Sequence, residues 1–289
     1  MPTTLLIANT LSGSGNDSLA EPLKQLQGEI QQIDLGQCDD LTARIRNAGS
    51  SVDQIVLCGG DGTINRALDA LVDCGLPVGL IPTGTANDLA RSLGIPADPS
   101  RAIEIINSGH QRPVDVGRVN GISFVNALGM GLGPLTTREM DSDEKATFGV
   151  GAYLLGLLRA MRKIPRFSAR IESDEGVREG SFIQITIANG IHYGGGMTVS
   201  DQARLDDARL DVLLVRARSR WRLLANALKF KTGFVKNSEV LDHWQCRRLS
   251  VVTQPELEVT ADGEFLTHTP LTCEVIPGAL KLLAPRTTG

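Results

Sequence analysis

The chain has no excess of positive charge: over 289 residues, 29 Lys and Arg stand against 33 Asp and Glu, a formal net charge of −4. A general nucleic-acid binder needs a cationic surface, so that class is set aside and no nucleic-acid partner is expected. Cysteines are few and scattered. Cys38, Cys58, Cys74, Cys246 and Cys273 are odd in number and form no C-x-x-C pair. This excludes a disulfide frame or a zinc ribbon and fits reduced thiols in a cytoplasmic protein. No stretch approaches the ~18 apolar residues of a membrane span. The opening "MPTTLLIANT" has no basic n-region, and its apolar run is too short for a secretory signal. The phosphate fingerprints G-x-x-x-x-G-K-[ST] and G-x-G-x-x-G are both missing. Internal repeats and low-complexity linkers are missing too.

What is present is an ordinary globular composition, 42% hydrophobic and 21% charged, on a chain long enough for two cores. The first third alternates strand and helix signals. "TTLLIAN", "EIQQIDL", "QIVLC" and "LPVGLIP" read as strands. Between and after them, "LAEPLKQLQ" (Leu19–Gln27), "DDLTARIRNAG", "INRALDALVDCG" (Ile64–Gly75) and "SRAIEIINSG" read as helices. Gly49 is placed to cap the second helix. Short repeated β-α units predict a parallel, twisted sheet with right-handed crossovers. Near residue 114 the pattern changes. Two alternating apolar runs flank Asn120-Gly121, a strong hairpin signal, and most later segments are strand-like. The expected organisation is an α/β nucleotide-binding domain over 1–120 and a mainly antiparallel, sandwich-like β domain over 121–277.

Two loops stand out, "GGDGTIN" (Gly59–Asn65) and "PTGTAND" (Pro82–Asp88), each between a strand and the helix that follows it. The carboxyl ends of parallel strands are where ligands gather in open α/β sheets. Glycine lets a phosphate approach backbone N–H groups, and helix N-termini add favourable partial charge. Thr63, Thr83 and Thr85 supply hydroxyl donors. One such loop is as easily a steric turn; two in successive units, each with threonine and a carboxylate, favour phosphate. A third loop, "NTLSGSGND" after the first strand, is weak by itself.

"GGDGTIN", "PTGTANDLARSLGIP", "FVNALGMGLG", "IANGIHYGGGM", "ARLDDARLDV" and "ADGE", in this order, resemble the diacylglycerol kinase catalytic-domain family, and within it the bacterial lipid kinases of the YegS type. The resemblance covers nearly the whole chain. It implies a first domain related to NAD kinases and 6-phosphofructokinases, and a β-rich second domain with segment 278–289 returning to the first. It also implies that ATP binds with Mg²⁺ and gives its γ-phosphoryl group to a lipid hydroxyl, on diacylglycerol or a related lipid.

By the same resemblance, Asn9, Gly59, Gly60, Asp61, Gly62, Thr63, Ile64, Asn65 and Thr85 are the nucleotide contacts. Asp61 beside phosphates calls for Mg²⁺ between them. Glu264 matches the proton acceptor, with Gly263 allowing a tight backbone and Asp262 as helper to metal or orientation. Arg204 and Arg209, through their carbonyls, and Asp207, through its carboxylate, match a structural Mg²⁺ loop. The sequence departs from the family at four places. Ala208 stands where relatives carry glycine, Thr10 where they carry proline, Asn16-Asp17 where they carry a lysine, and Asp34 where they carry a threonine. Arg66 is a candidate substitute for that lysine.

The basic, amphipathic segments Tyr153–Arg170 and Arg216–Lys236 are read either as packing helices or as contacts with an anionic bilayer. With a lipid substrate, the expected location is the cytoplasm and the inner membrane face. A homodimer is compatible with the chain, whose oligomeric state the sequence does not fix. Two alternatives stay open: a related kinase of a soluble substrate, NAD kinase-like, and an inactive regulator that binds nucleotide or lipid.

Overall fold

The computed structural model describes residues 2–8, 16–38, 40–131, 166–193, 197–198, 203–217, 241–261 and 264–286. Asn9, Asp262, Gly263, the side chains of Asn16 and Asp17, and nearly all of both basic segments lie outside the described residues. The chain divides into two compact units, 1–126 with 189–209 and 275–289, and 127–188 with 210–274.

The first unit begins with β1 (Thr3–Ala8), α1 (Asn16–Leu23), β2 (Glu29–Asp34), α2 (Leu41–Ala48), β3 (Gln54–Gly59), α3 (Asp61–Cys74), β4 (Pro77–Pro82), α4 (Asp88–Ser92) and α5 (Pro99–Ser108). β2, β1, β3 and β4 pair in that order, all parallel, with Ile7 opposite Ile33 and Leu57 opposite Leu80. The strand sequences explain the arrangement. β1, β3 and β4 are apolar and buried along almost their whole length, as a sheet covered on both faces requires. Ile45, Leu68, Leu71, Ile103 and Ile106 cover it from the helices.

Helix ends follow local chemistry. Asp40 and Asp98 cap α2 and α5 by accepting from Ala43 N and Arg101 N. Gly75 and Gly109 end α3 and α5 in the left-handed conformation. Gly49 caps the end of α2 as expected, in a right-handed conformation, its N–H donating to Ile45 O. α1 differs from expectation, starting at Asn16 and ending at Leu23, one residue after Pro22, which has no N–H to give.

The unit continues with β5 (Gln111–Val119) and β6 (Ile122–Phe124), joined at Asn120-Gly121. Both turn residues have positive φ, 47° and 88°, as a two-residue hairpin of this hand needs. After β7 (Ala127–Gly131), β8 (Phe167–Ser173) and β9 (Gly176–Ala188) in the second unit, the chain returns to the first as the small hairpin β10 (His192–Tyr193) and β11 (Met197–Thr198).

The second unit is antiparallel. β7, β8 and β12 (Leu210–Arg216) each pair with β9, and β13 (Leu241–Cys246) pairs with β12. β14 (Arg248–Gln254) pairs with β8, and β15 (Glu258–Ala261) with β7 and with β16 (Glu264–His268). β8 alternates buried and exposed residues, and Phe167, Ile171, Phe182, Ile185 and Val251 are buried. The last strand, β17 (Leu271–Leu283), starts beside β14 and ends beside β4, where Lys281 pairs in parallel with Pro77. β5 also pairs with β17.

Against the expected 1–120 and 121–277, residues 189–209 pack with the first unit. Polar contacts explain this: Asn189 Nδ2 donates to Asp115 O (2.8 Å), Asp115 N donates to Leu205 O (2.7 Å), and Ser92 Oγ lies 3.0 Å from His192 Nδ1.

Ala208 adopts φ 55°, a left-handed conformation in which Cβ crowds the backbone. Its N–H is held by Asp115 Oδ2 at 2.6 Å. Ala208→Gly should relieve about 1 kcal/mol of that strain and raise Tm by about 2–4 °C. Thermal unfolding checks this; an unchanged or lower Tm contradicts it.

Candidate active site

The two glycine loops meet at the carboxyl ends of β3 and β4. Only Gly59 and Gly60 of "GGDGT" precede the helix, because Asp61, Gly62 and Thr63 already form the first turn of α3. Gly60 is the N-cap and contributes no side-chain hydrogen bond to that end. It pulls the helix start inward instead, its carbonyl accepting from Thr63 N (3.0 Å) and Ile64 N (3.2 Å). The loops touch backbone to backbone. Thr83 N donates to Gly59 O at 3.1 Å. A Cβ on Gly84 would sit 2.6 Å from Gly60 Cα, and one on Gly60 2.9 Å from Gly84 Cα. Neither position has room for a side chain.

The second loop is folded by Asn87, which is left-handed at φ 50°. Its amide grips Gly84 on both sides, Oδ1 accepting from Gly84 N (3.0 Å) and Nδ2 donating to Gly84 O (2.6 Å). Asn87 therefore cannot also cap α4, and no side-chain cap is formed there. Asp61 does that work from the other loop. Its Oδ2 accepts from Asp88 N (3.0 Å), and its Oδ1 from Leu89 N (3.2 Å) and Asn126 Nδ2 (3.2 Å). An anion at a helix N-terminus is stabilised by the unpaired N–H groups there. The awkward acid of the glycine loop is thus a staple between the loops.

Ile64 is buried and belongs to the core, Asn65 is half-buried, and Thr83 and Thr85 are exposed. Arg66 is exposed on α3. Asp34 accepts from Gly36 N at 2.9 Å, within its own turn. Cys58, just ahead of the glycines, is no nucleophile: burial pushes its thiol up to about 12.

The loop at 204–209 lies in the first unit. Asp207 Oδ1 accepts from Arg209 N at 3.0 Å. Asp206 takes Arg112 Nη2 (3.2 Å) and Arg204 Nε (3.1 Å). Burial pushes the Asp206 carboxyl upward, but those two guanidinium groups outweigh it and hold it below the usual carboxylate range. Asp115, almost wholly buried, gives Oδ2 to Ala208 N (2.6 Å) and Oδ1 to Gly278 N (2.8 Å). It fixes the loop against β17. A carboxylate and backbone carbonyls are the oxygen donors that a hard cation takes, so the residue types present fit Mg²⁺. Among the described residues no group of three or more His, Cys, Asp and Glu gathers as a metal site. Any ion there would depend on backbone oxygens.

Glu264 begins β16 in the second unit and is exposed. Asp88, noted in the sequence only as the carboxylate of its loop, and Asp115, Asn126 and Asn189, which sequence reasoning passed over, are buried polar groups. All four lie in "PTGTAND", "VDVG", "FVNALG" and "IANG", and burial, invisible in a single sequence, is what singles them out.

The diacylglycerol kinase catalytic domain model matches residues 3–119, and the YegS C-terminal NAD kinase beta sandwich-like domain matches 130–284. A Pseudomonas aeruginosa protein named "Probable lipid kinase YegS-like" is 33% identical over 240 residues, 80% of this chain and 76% of its own length. A protein of the same name from Shewanella frigidimarina is 30% identical over 241 residues, 81% of this chain and 77% of its own. The crystal structure of a diacylglycerol kinase from Bacillus anthracis str. Sterne superposes with a TM-score of 0.78 at 25% identity, covering 99% of this chain and 98% of that one. The two domain types define a lipid kinase-like α/β plus β-sandwich class. The chain belongs to the YegS-type lipid kinase family.

The Gly60–Gly84 contact generates a test. Gly84→Ala forces the loops apart, since backbone atoms stand where its Cβ would go. On the kinase reading proposed below, ATP binding measured by calorimetry should weaken about tenfold or more, a displacement of ~1 Å sufficing for such losses. Unchanged affinity would show that the contact is dispensable.

Proposed function

We propose that the chain transfers the γ-phosphoryl group of ATP to a hydroxyl of a membrane lipid, diacylglycerol or a close relative. The observation that carries this reading is the pair of glycine loops, closed on each other by Asp61 at the ends of adjacent parallel strands. Phosphoryl transfer asks a protein for positioning and charge neutralisation more than for covalent chemistry. The α3 N-terminus, without a side-chain cap, offers amides to phosphate oxygens. Thr85 and Thr63 offer hydroxyls, with Asn9, Gly59, Gly60, Asp61, Gly62, Ile64 and Asn65 completing the expected contact set. Mg²⁺, held by the phosphates and by carboxylates of the Asp61 region, would neutralise charge on the transferring group.

Glu264 is assigned the base. It takes the proton as the lipid oxygen attacks the γ-phosphorus, the bond to the bridging oxygen breaks, and ADP leaves with that electron pair. Asp262 assists by orientation or metal contact. Asp207, with the carbonyls of Arg204 and Arg209, would hold a second, structural Mg²⁺ away from the reacting atoms.

Access to the lipid is proposed through the basic segments, in a cytoplasmic protein that visits the inner membrane face. No helix among the described residues is long and apolar enough to cross a membrane. Each Lys or Arg near an anionic surface contributes roughly 1 kcal/mol. Sedimentation with vesicles should show binding that rises with anionic lipid; equal, negligible binding to neutral and anionic vesicles removes this part.

Glu264→Gln should abolish transfer, a loss of about 10²–10⁴-fold, while ATP affinity stays within about twofold of the parent, since the change lies outside the nucleotide loops. The assay is labelled ATP, Mg²⁺ and a total lipid extract, with identification of the product. Full activity in that variant rejects Glu264 as base. Tight ATP binding with no phosphorylated lipid would favour the inactive regulator, and a labelled water-soluble product the soluble-substrate kinase.

A further inference from the structure

We propose that Asn126 is a positioning residue for Asp61, fixing that carboxylate in the orientation the metal–nucleotide complex requires; this rests on the kinase reading above. Asn126 is wholly buried, and its Nδ2 donates to Asp61 Oδ1 at 3.2 Å. The other two donors to Asp61 are backbone N–H groups of α4, present whatever the side chains there. Asn126 is a side-chain donor and so a choice made by the sequence. A neutral donor of this shape hydrogen-bonds the ionised carboxylate and leaves its negative charge in place. An acid there would repel it, and a lysine or arginine would cancel the charge that draws a cation.

The donor is itself held from behind. Asn126 O accepts from Asn189 N (2.8 Å) and Gly190 N (3.0 Å). Asn189 Nδ2 donates to Val125 O at 3.0 Å and to Asp115 O at 2.8 Å. Gly190 comes so close that a Cβ on it would lie 3.3 Å from Asn126 Cα. These contacts fix the backbone at Val125–Asn126, the base from which the Asn126 amide reaches Asp61. This gives a role to two sequence motifs, "FVNALG" and "IANG", that the nucleotide and base assignments leave unused. Partners that orient a metal-facing ligand from behind typically change metal affinity or activity by about 10–100-fold when removed.

The test separates positioning from structural support. Binding of a fluorescent ATP analogue is titrated with Mg²⁺ for the parent, Asn126→Ala, and the exchange pair Asp61→Asn with Asn126→Asp, alongside Tm for each. In folded Asn126→Ala, the Mg²⁺ midpoint should rise about 10–100-fold, while affinity for the metal-free nucleotide stays within about twofold. The exchange pair restores a donor–acceptor contact between the two residues but moves the charge and leaves Leu89 N without its acceptor. Its Tm should stay below the parent, and its Mg²⁺ midpoint should not recover. A parent-like Mg²⁺ midpoint in folded Asn126→Ala overturns the proposal. So does a parent-like midpoint in the folded exchange pair, because the orientation of a charge at Asp61 is then not what the metal needs. A parent protein that binds no ATP at all overturns the kinase reading and this inference with it, an outcome distinct from the other two.

Discussion

The carboxylate of Asp61 is the constraint on which the first unit's loops depend. Two strand–helix connections, each built on glycine, have little side-chain mass to hold them. Their backbones approach so closely at Gly60 and Gly84 that no side chain fits between. Asn87 is occupied folding its own loop, so the short helix after it lacks a local cap. A single acid on the neighbouring helix supplies that cap at both Asp88 and Leu89. Hydrogen bonds to a charged acceptor contribute about 1.5–3 kcal/mol each, enough to fix the spacing of the loops. Any ligand bound by either loop meets a geometry set by both.

A second acid organises another part of the unit by the same principle. Asp115 is nearly inaccessible to solvent, and both its oxygens are taken by backbone amides from distant segments, Ala208 and Gly278. A buried carboxylate without such donors would be strongly unfavourable; with them it ties together three parts of the chain far apart in sequence. The loop it anchors carries its own local strain at Ala208 and a guanidinium–carboxylate cluster at Arg112, Asp206 and Arg204. Strain of this kind persists only where neighbouring contacts over-determine the backbone.

Much of this architecture was legible in the residues. The continuous apolar runs of β1, β3 and β4 announced a covered parallel sheet, and Asn120-Gly121 announced a hairpin that forms at those two residues. The glycine loops were visible as candidate ligand loops because glycine, threonine and a carboxylate recur after successive strands. Three things were not legible. The start of α3 at Asp61 was hidden because glycines look like loop even when they occupy a helix's first turn. The return of 189–209 to the first unit rests on side-chain-to-backbone bonds across more than 60 residues, such as Asn189 to Val125. The role of Asp61 as a remote cap depends on a distance between two loops, which no periodicity encodes.

β17 has a consequence for how the protein comes to exist. Leu280, Leu282, Leu283 and Ala284 complete the core of the unit whose other strands occupy the start of the chain. During synthesis from the amino end, β4 therefore waits with an open edge and uncovered apolar neighbours until β17 has been made. The first unit cannot finish folding ahead of the rest, although domains encoded first usually do. Closure of that edge waits for β17, so a chain cut short before this strand would leave a sheet edge open to chaperones and proteases.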